Sequence, residues 1–333
     1  MINFFFIVII IIINLILFKS IDKIAYKLNL YDHPDNKRKI HKKKIPLVGG
    51  IFFLINILFY LIIQNSFFFN QVFFEGIREI ISFYLGIIFF FLIGIYDDKY
   101  TLNPNTKLVL SILVILFSIN LSDKFIIADL NFIFLDKTIN LNSFSILFTI
   151  FCILAFINSF NMLDGINGLS VSYYLICLFY LFVPNYIDSF YILLLICSSF
   201  FLIYNFRGKI FLGDNGSLVL GFMLSLLFIK FYNEKKIFAD EIIVLMILPG
   251  IDMIRVASSR ILRKQHAFEP DQNHLHHLLM KMFNEKISYF IIIGIILLTC
   301  IISKFIKYDV VNILSITTVI LIYLFFVQKI KLK

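Results

Sequence analysis

Residues 2–18, INFFFIVIIIIINLILF, contain no charged side chain and consist almost entirely of Ile, Leu and Phe. A helix needs about 17–25 apolar residues to cross the hydrocarbon core of a bilayer, so this stretch predicts a transmembrane helix. It has neither a basic n-region nor a small-residue cleavage site, which argues against a cleaved signal peptide. We therefore expect it to be the first membrane span.

Similar apolar runs recur along the whole chain, and the composition agrees with them. Hydrophobic residues make up 60% and charged residues 15% of the 333 residues, against about 45–50% and about 25% in soluble domains. The 42 Phe, 13 Gly and 6 Pro exclude a disordered or collagen-like chain. We predict an all-α polytopic membrane protein, a single domain over residues 1–333 with about eleven transmembrane helices. The predicted spans are residues 2–18, 47–63, 80–96, 107–120, 144–160, 169–184, 189–206, 218–232, 240–254, 287–303 and 310–328.

The segment 121–143 is not clearly a transmembrane span. Its apolar part, Ile126 to Leu135, is followed by the polar turn Asp136-Lys137-Thr138. So short an apolar run suits an interfacial β-hairpin better than a spanning helix. We expect a short periplasmic β-hairpin here, since a spanning segment would invert the sidedness of everything that follows.

Lys and Arg residues are unevenly distributed between alternate loops. Most of the 30 lie in one set of loops, and the positive-inside rule places that set in the cytoplasm. The N-terminus is then outside and the C-terminus cytoplasmic. The net charge of +9 indicates contact with anionic lipids and an anionic substrate, not with nucleic acid. The cytoplasmic set comprises residues 19–46, 97–107, 161–168, 207–217, 255–286 and 329–333.

The polar residues that could carry chemistry gather in these cytoplasmic loops. A transporter tends to place its polar site near the membrane midplane, so this pattern indicates an interfacial active site that uses a cytosolic solute. The four cysteines lie inside apolar runs and form no C-x-x-C pair. We expect them to be small packing residues rather than redox or zinc ligands.

The third predicted span ends in Tyr96-Asp97-Asp98-Lys99, with Lys107 following in the same loop. Two adjacent carboxylates at a membrane interface repel each other and lose solvation, and a bound cation or a shared proton relieves both costs. A solvated helix end with two ordinary acids would account for the same residues. The motif alone does not decide between these interpretations.

Asn158, Asn161, Asp164 and Asn167 recur every three residues in NSFNMLDGINGL, residues 158–169. In a helix this spacing places neighbours on one face. All four side chains offer oxygen acceptors that suit Mg²⁺ or the edge of a sugar or base. A capped turn also favours Asn, Asp and Gly, but it needs only one or two such residues, so a functional role is the better interpretation.

Asp214 lies between two glycines in FLGDNGS, residues 211–217. Gly213 and Gly216 allow the backbone to approach a phosphate or a metal closely. We expect Ser217 to cap the next helix, whose N-terminal N–H groups favour anions. The segment is not a P-loop, because it lacks the G-K-[ST] element, and a tight turn would account for the same residues.

The loop 255–286 contains DQNHLHH, which begins at Asp271. Three His within four residues (His274, His276 and His277) are improbable in a chain that holds six. If the segment is helical, Asp271 lies one turn before His274 and can orient its imidazole. A zinc site is not supported here, because no Cys lies near the His residues. A basic loop attracted to lipid headgroups accounts for the Arg and Lys residues but not for the His cluster.

A polybasic run, KRKIHKKKIPLVGG, occupies residues 37–50. Such a run beside a membrane usually provides electrostatic anchoring only, at about 1 kcal/mol per basic residue. Anchoring accounts for most of these charges. It leaves His41 and the Gly49-Gly50 pair as candidates for function.

Taken together and in this order, five segments resemble the polyprenyl-phosphate N-acetylhexosamine-1-phosphate transferase family. They are RKIHKKKIPLVGG, YDDKY, NSFNMLDGINGL, FLGDNGS and DQNHLHH. The last is similar to the H-x-H-H form of the undecaprenyl-phosphate GlcNAc-1-phosphate transferase branch, rather than the three consecutive His of phospho-MurNAc-pentapeptide translocase. The resemblance covers roughly residues 32–303 and leaves 310–328 as an extra C-terminal span.

The resemblance implies a bundle of ten or eleven helices with a cytoplasmic active site. It implies transfer of a HexNAc-1-phosphate, with GlcNAc or a related amino sugar, from a UDP-N-acetylhexosamine to polyprenyl (undecaprenyl) phosphate. The products are a polyprenyl-pyrophosphoryl sugar, which starts a lipid-linked envelope glycan, and UMP. Mg²⁺ or Mn²⁺ is the implied cofactor, and a homodimer is compatible with the family analogy.

The resemblance also implies roles for single residues. The second Asn of the N-x-x-N segment and the Asp of the F-L-G-D segment hold the metal in the family; here these are Asn161 and Asp214. Asn167 stands where bacterial members often have Asp, and its amide can still pair with a uracil edge. The other predicted catalytic residues are Asp97, Asp98, Asp164, His274, His276 and His277, and the other predicted substrate-binding residues are His41, Lys107, Asn158, Gly213 and Arg255.

Two anionic phosphates must approach each other in this reaction, so charge neutralisation should dominate. The lipid phosphate has a second pKa near 6 and is mostly a dianion at pH 7, so a general base contributes less than it does in attack by an alcohol. We expect Asp97 to position the lipid phosphate or accept its proton, with Asp98 in support. A covalent phospho-aspartate intermediate remains the alternative to direct attack.

Two other classes of function are weighed against a transferase. A transporter of nucleotide- or lipid-linked sugars would move substrate without forming UMP, and Asp252, beside Pro249-Gly250, is an ionisable residue near a span end that could serve it. A non-catalytic scaffold leaves the Asn, Asp and His clusters without a role. An alcohol phosphotransferase using CDP-linked donors would need a D-G-x-x-A-R motif, which the D-G segment here lacks.

Overall fold

Helices make up almost all of the regular structure of the protein. The structure is a computed structural model, and it describes residues 4–34, 43–64, 73–134, 137–182, 188–265, 273–305 and 311–331. Four two-residue strands are β1 (Tyr31–Asp32), β2 (Ile45–Pro46), β3 (Asp129–Leu130) and β4 (Ile139–Asn140). The helices are α1 (Phe4–Leu28), α2 (Gly49–Ile63), α3 (Ile77–Tyr100), α4 (Pro104–Leu121), α5 (Ser145–Leu163), α6 (Leu169–Leu181), α7 (Ser189–Phe206), α8 (Gly213–Asn233), α9 (Ala239–Leu262), α10 (Leu275–Met282), α11 (Glu285–Phe305) and α12 (Val311–Lys331).

The helices confirm the predicted all-α polytopic membrane fold. Within the described residues, nine are long and apolar enough to cross a membrane, and α2 and α6 are apolar but shorter. Each predicted span overlaps one of these helices, although how many of them cross stays a prediction. Helix α10 lies outside every predicted span, because its eight residues mix apolar side chains with His and Lys.

The Cα positions group the chain into two compact units. The first unit comprises Met1–Leu121 and Phe182–Met223, and the second comprises Ser122–Leu181 and Leu224–Lys333. Helix α8 contributes its first half to the first unit and its second half to the second. The single domain expected over residues 1–333 stays a prediction.

Helix α8 is the least apolar of the candidate spans and is buried along its length. It carries several polar residues, among them Ser217, Ser225 and Lys230. A helix surrounded by protein tolerates such residues because they find partners there. Lys230 Nζ, for example, pairs with Glu234 Oε1 at 3.0 Å.

In the first unit, a reciprocal pair of buried amides ties α1 to α2. Asn14 Nδ2 donates to Asn56 Oδ1 at 3.1 Å, and Asn56 Nδ2 donates to Asn14 Oδ1 at 3.2 Å. Each amide also donates to the carbonyl one turn earlier in its own helix. Because an unpaired amide is costly inside a membrane, this pair fixes the register of the two helices.

Short β contacts in the first unit bring the starts of α2 and α8 together. β1 pairs antiparallel with β2, and Leu47 forms a parallel bridge with Phe211. The backbone N–H of Phe211 donates to Pro46 O at 2.9 Å. A Cβ on Gly50 would come within 2.4 Å of the backbone oxygen of Asn215, so glycine is required where α2 begins.

In the second unit, β3 pairs antiparallel with β4. Residues 126–134 form no helix, so this stretch does not provide a spanning helix. The strands are fastened to the connection between α8 and α9, where Asn131 N–H donates to Tyr232 Oη at 2.7 Å and Ile133 N–H donates to Asp240 Oδ1 at 3.0 Å. The periplasmic position of this hairpin stays a prediction.

Two buried carboxylates at the start of α9 organise the same region. Asn312 of α12 donates to Asp240, and the Tyr180 hydroxyl of α6 donates to Glu241 Oε1 at 2.8 Å. Tyr180 Oη also lies 3.0 Å from Ser303 Oγ of α11. Carboxylates are favourable in the first turn of a helix, so these acids stabilise the fold.

The cysteines form no disulfide. All four are free, and Cys177, Cys197 and Cys300 are buried. Their burial agrees with the expectation that they serve as small packing residues.

Candidate active site

An ion-pair cluster forms in the first unit, where α3 ends and where α4 and α8 begin. Lys107 Nζ lies 2.7 Å from Asp97 Oδ2 and 3.5 Å from Asp214 Oδ2. The backbone N–H of Leu102 donates to Asp97 Oδ1 at 2.6 Å. The Asp97 side chain is 10% exposed and that of Asp214 is 33% exposed, so Asp214 is the more accessible carboxylate.

The turn between α3 and α4 brings Lys107 to Asp97. Helix α3 ends at Tyr100, and Thr101 adopts a left-handed φ of 51° that reverses the chain. Pro104 then begins α4, a position that favours proline because its ring presets φ and no N–H is needed there. Lys107, in the first turn of α4, is thereby returned to the end of α3.

Asp98, the second acid of the pair, caps helix α8. The backbone N–H of Asp214 donates to Asp98 Oδ1 at 2.9 Å, and that of Asn215 donates to Asp98 Oδ2 at 3.0 Å. The first N–H groups of a helix have no acceptor within the helix and favour an anion. The prediction that Ser217 caps this helix is wrong, because α8 already begins at Gly213.

Asn215 is a buried residue of the site that the sequence did not single out. Its Nδ2 donates to the Asp98 carboxylate and to Leu47 O, and its Oδ1 accepts the backbone N–H of Gly50 at 2.5 Å. A Cβ on Gly94 would come within 2.3 Å of Asn215 Cα. The glycines of α2 and α3 were the available signal, but nothing in their spacing says which segment they approach.

The donor set of the cluster fits a hard divalent cation. Among the described residues, no three His, Cys, Asp or Glu side chains are grouped so as to hold a metal ion. Mg²⁺, however, keeps several waters and is commonly bound through one or two carboxylates together with substrate phosphates. Asp97 and Asp214, which share the Lys107 ammonium, offer two carboxylates of this kind.

The segment 158–169 lies in the second unit and is only partly helical. Helix α5 ends at Leu163, Asp164 follows it, and Gly168 adopts a positive φ of 82°. The first two polar residues of the motif are therefore on α5, whereas Asp164 and Asn167 lie in the turn before α6. The four side chains do not share one helix face, because the glycines end the helix.

Two side chains of this segment are hydrogen bonded within the second unit. Ser170 Oγ donates to Asp164 Oδ1 at 2.5 Å, and Asn158 Nδ2 donates to the carbonyl one turn earlier in α5 at 2.8 Å. Asn161 lies on α5, in the second unit, and Asp214 lies in the first unit. A metal ion held by both stays a prediction.

His274 is held by a carboxylate of α9. His274 Nδ1 lies 2.9 Å from Asp252 Oδ2, and the backbone N–H of Leu275 donates to Asp252 Oδ1 at 3.0 Å. Asp252 thus orients the imidazole. This is the role predicted for Asp271, which lies outside the described residues. Arg260 Nη2 lies 3.4 Å from His274 Nε2.

His276 and His277 lie on the first turn of α10, and they differ in exposure. Burial, with smaller contributions from His277 and His274, lowers the pKa of His276 to about 3, so this ring is neutral at pH 7. A Cβ on Gly165 would come within 1.9 Å of His276 Nε2. The absence of a side chain there lets the D-G-x-N turn pack directly on the His motif, in which His277 is the most exposed ring.

Two predicted substrate ligands also serve the fold, and a third lies outside the described residues. The Arg255 guanidinium donates to Asp252 Oδ1 at 2.9 Å and to a backbone carbonyl. Gly213 adopts a φ of 71°, and a Cβ there would lie 2.9 Å from Asp98 Oδ2, so the fold itself requires glycine. His41 is the residue outside the described part of the chain. Substrate binding by all three stays a prediction.

An apolar cavity of about 400 Å³ lies in the second unit, beside α5, the second half of α8, and α9. Side chains with almost no polar surface line it, and such walls accept a hydrocarbon chain rather than a nucleotide. They include Phe148, Phe151, Phe228, Met246 and Ile254.

Comparisons with known proteins identify the family of this chain. The profile of glycosyl transferase family 4 matches residues 80–232. A probable undecaprenyl-phosphate N-acetylglucosaminyl 1-phosphate transferase of Bacillus subtilis (strain 168) is 30% identical over 277 residues, covering 80% of this chain and 74% of the relative. The chain belongs to the polyprenyl-phosphate N-acetylhexosamine-1-phosphate transferase family.

Two further relatives of this family are undecaprenyl-phosphate alpha-N-acetylglucosaminyl 1-phosphate transferases. The protein of Salmonella typhi is 28% identical over 275 residues, and that of Escherichia coli (strain K12) is 29% identical over 279 residues. Each alignment covers 78% of this chain and 71% of the relative. The resemblance inferred from five motifs is thereby confirmed, and the protein is a membrane-integral transferase.

Proposed function

We propose that this family member transfers a HexNAc-1-phosphate from a UDP-N-acetylhexosamine to undecaprenyl phosphate. The products are UMP and an undecaprenyl-pyrophosphoryl sugar that starts a lipid-linked glycan of the cell envelope. The relatives support this proposal, since their names specify undecaprenyl phosphate and an N-acetylglucosaminyl 1-phosphate group. N-acetylglucosamine is accordingly the expected sugar.

The observation that carries the proposal is the cluster of Asp97, Lys107 and Asp214 at the polar ends of apolar helices. In this reaction a soluble diphosphate and a lipid phosphate must meet at the membrane interface, and both are anions. Lys107 supplies positive charge, and Asp214, the more accessible carboxylate, supplies oxygen ligands for a divalent cation.

The acidic residues and Asn161 have different roles in the proposed phosphoryl transfer. A bound Mg²⁺ or Mn²⁺, held by Asp214 with Asn161, would neutralise charge on the diphosphate as a Lewis acid. Asp97 positions the lipid phosphate or accepts a proton from its minor monoanionic form, since this phosphate is already mostly a dianion near pH 7. Asp98 keeps the start of α8, and with it Asp214, in place.

The donor is bound by the turn that contains Asn167 and by the His motif. The Asn167 amide pairs with the uracil edge, and Asp164 shapes the turn through Ser170. His277, the most exposed of the three His residues, contacts the diphosphate. His274 and His276 hold the motif in place.

The apolar cavity of the second unit binds part of the isoprenoid chain of the acceptor. Its walls are hydrocarbon and aromatic, which suits a polyprenyl chain and disfavours a nucleotide. The enzyme acts at the cytoplasmic face of the bacterial plasma membrane, with the N-terminus outside and the C-terminus inside, in contact with anionic lipids. A homodimer stays a prediction.

The test is release of UMP by the purified protein from UDP-N-acetylglucosamine and Mg²⁺. We expect UMP only when undecaprenyl phosphate is present, and at least about a hundredfold less with Asp214→Asn, because one carboxylate ligand is lost. The matched control is Asp188→Asn, at the N-cap of α7 in the same unit, where Asn caps as well as Asp does. Near-normal release by Asp214→Asn would remove the metal assignment.

Direct attack and a phospho-enzyme make different predictions in the absence of acceptor. With UDP-sugar alone, direct attack leaves the protein unmodified, whereas a phospho-aspartate intermediate adds a sugar phosphate to it and releases UMP. Intact mass of the protein separates the two. We expect no added mass, since the lipid phosphate dianion is itself an adequate nucleophile.

The transporter alternative rests on Asp252, which is engaged by His274 and Arg255. It predicts uptake of labelled UDP-sugar or lipid-linked sugar into proteoliposomes without UMP. Flux without UMP would replace the proposed function with this alternative.

A further inference from the structure

Helix α12 lies beyond both the family profile and the part of the chain that carries the five motifs, yet it contributes a buried polar group to the His motif. Tyr323, which is 1% exposed, donates its hydroxyl to Asp252 Oδ1 at 2.9 Å. Asp252 is the carboxylate that holds His274 Nδ1. One carboxylate therefore links the extra helix to the His motif.

Arg255 donates hydrogen bonds to both Tyr323 and Asp252. Its Nε donates to the Tyr323 hydroxyl, and its Nη2 donates to Asp252 Oδ1 at 2.9 Å. The guanidinium lies over the Tyr323 ring, 5.7 Å from its centroid. The tyrosine thus contacts both members of the Asp252–Arg255 ion pair.

Four hydrogen-bonding groups surround the Asp252 carboxylate. Oδ1 accepts from Tyr323, from Arg255 and from the Leu275 N–H, while Oδ2 meets His274. A carboxylate offers about four lone-pair sites. The direction of Oδ2, and with it the orientation of the His274 ring, depends on the donors that hold Oδ1.

We propose that Tyr323 is a positioning residue for the transfer reaction. Its hydroxyl fixes Asp252, and through Asp252 it orients His274 and anchors the first turn of α10, which carries His276 and His277. The kinetic part of this inference rests on the proposed function. The structural part, which is the anchoring of α10 through Asp252, does not.

A second buried tyrosine provides a matched control. Tyr180 is 4% exposed and donates to the carboxylate Glu241 at 2.8 Å in the same unit. Its hydroxyl contacts Glu241 and Ser303, and neither belongs to the His motif. Tyr323→Phe and Tyr180→Phe therefore remove the same chemical group, and only the first touches Asp252.

The experiment that needs no substrate is hydrogen–deuterium exchange of the detergent-purified full chain. We expect the peptide spanning residues 273–280 to exchange at least about fivefold faster in Tyr323→Phe, because the anchor of the Leu275 N–H is loosened. Tyr180→Phe should leave this peptide at the wild-type rate. Equal rates in all three proteins would overturn the inference, whether or not the protein makes UMP.

The kinetic experiment measures UMP release by the same three proteins, well below their unfolding midpoints. In Tyr323→Phe we expect kcat to fall about tenfold, the size of a lost hydrogen bond to a charged group, with KM for the UDP-sugar within about twofold. Tyr180→Phe should keep the wild-type kcat. A wild-type kcat in Tyr323→Phe, or equal losses in both variants, would contradict a positioning role.

Asp252→Asn keeps the shape of the side chain. It tests whether Tyr323→Phe lowers kcat by disturbing Asp252. If it does, the double variant Tyr323→Phe/Asp252→Asn is no slower than Asp252→Asn alone, within about twofold. Fully multiplicative losses would show that Tyr323 acts by another route and would overturn the inference. If the wild type releases no UMP, the proposed function fails while the exchange experiment still decides the inference.

Discussion

At the scale of single residues, two glycines make the site possible by letting other groups approach. Gly94 of α3 lies against the backbone of Asn215, and Gly165 lies against the ring of His276. In each case the neighbour is itself buried and held by packing, so it has little room to move. The packing of the candidate site thus depends on residues that have no side chain.

Gly94→Ala should destabilise the protein by about 1–3 kcal/mol, the usual cost of overpacking. Its Cβ would come within 2.3 Å of Asn215 Cα, and a backbone atom cannot rotate away. The measurement is the thermal unfolding midpoint in detergent. The control, Gly294→Ala in α11, should keep or raise the midpoint, because its Cβ would meet nothing within 4 Å. If Gly94→Ala unfolds at the same temperature as Gly294→Ala, the close approach of Gly94 to Asn215 is contradicted.

His276 should make stability depend on pH. Below about pH 6.5 the unfolded state binds a proton at this residue, whereas burial keeps the folded state from binding one until about pH 3. The unfolded state therefore holds more protons in this window, and stability falls as pH falls, by up to about 1.4 kcal/mol per pH unit. Above about pH 7 the residue contributes no pH dependence.

Unfolding midpoints of wild type and His276→Gln between about pH 7.5 and about pH 5 test this expectation. The fall of the unfolding midpoint on acidification should be smaller in His276→Gln, because glutamine cannot gain the proton. His277→Gln, at the neighbouring and more exposed position, should keep the wild-type loss. An unchanged loss in His276→Gln would show that the buried ring is not the cause.

At the scale of elements, the long helices were predictable and their ends were not. Apolar runs of membrane length specify a helix from local composition alone, and each predicted span overlaps one. The start of α8 depends instead on Asp98, more than a hundred residues earlier, and α10 is anchored by Asp252 of α9. Such long-range partners have no signature in local spacing, and local spacing points to Ser217 and Asp271 instead.

Asp98→Ala should loosen the start of α8 more than Asp98→Asn, since Ala accepts no hydrogen bond and costs a helix cap about 1–2 kcal/mol. A peptide covering residues 211–218 should exchange hydrogen faster in Asp98→Asn than in the wild type, and fastest in Asp98→Ala. UMP release should fall in both variants. Asp188→Ala removes the cap of α7, where Asp188 Oδ1 accepts the Tyr191 N–H, and should leave this peptide unchanged. Normal exchange in Asp98→Ala would contradict the capping role.

At the scale of the whole molecule, the distribution of charge and of polar residues is the main organising feature. The basic loops and the functional motifs fall in the same set of loops, so donor, lipid headgroup and active site are expected on one face of the membrane. The motifs specified family and chemistry. They did not specify the network joining α9, α10 and α12, because Tyr323 and Asp252 belong to no motif.

Cysteine labelling in a background without the four native cysteines tests the orientation. Lys137→Cys, in the predicted periplasmic hairpin, should react with a membrane-impermeant maleimide in intact cells. Lys209→Cys, in a predicted cytoplasmic loop, should react only after permeabilisation, because the positive-inside rule places it inside. The opposite pattern would invert the topology.

The central claim is that the sugar and one phosphate move together onto the lipid. UDP-N-acetylglucosamine labelled with ³²P in the β-phosphate, incubated with the purified protein, Mg²⁺ and undecaprenyl phosphate, tests this directly. We predict that the label enters the lipid in equal amount to the UMP released, and that Asp214→Asn transfers almost none. Label that remains in soluble UDP while the sugar enters the lipid, or no lipid product at all, would contradict the claim.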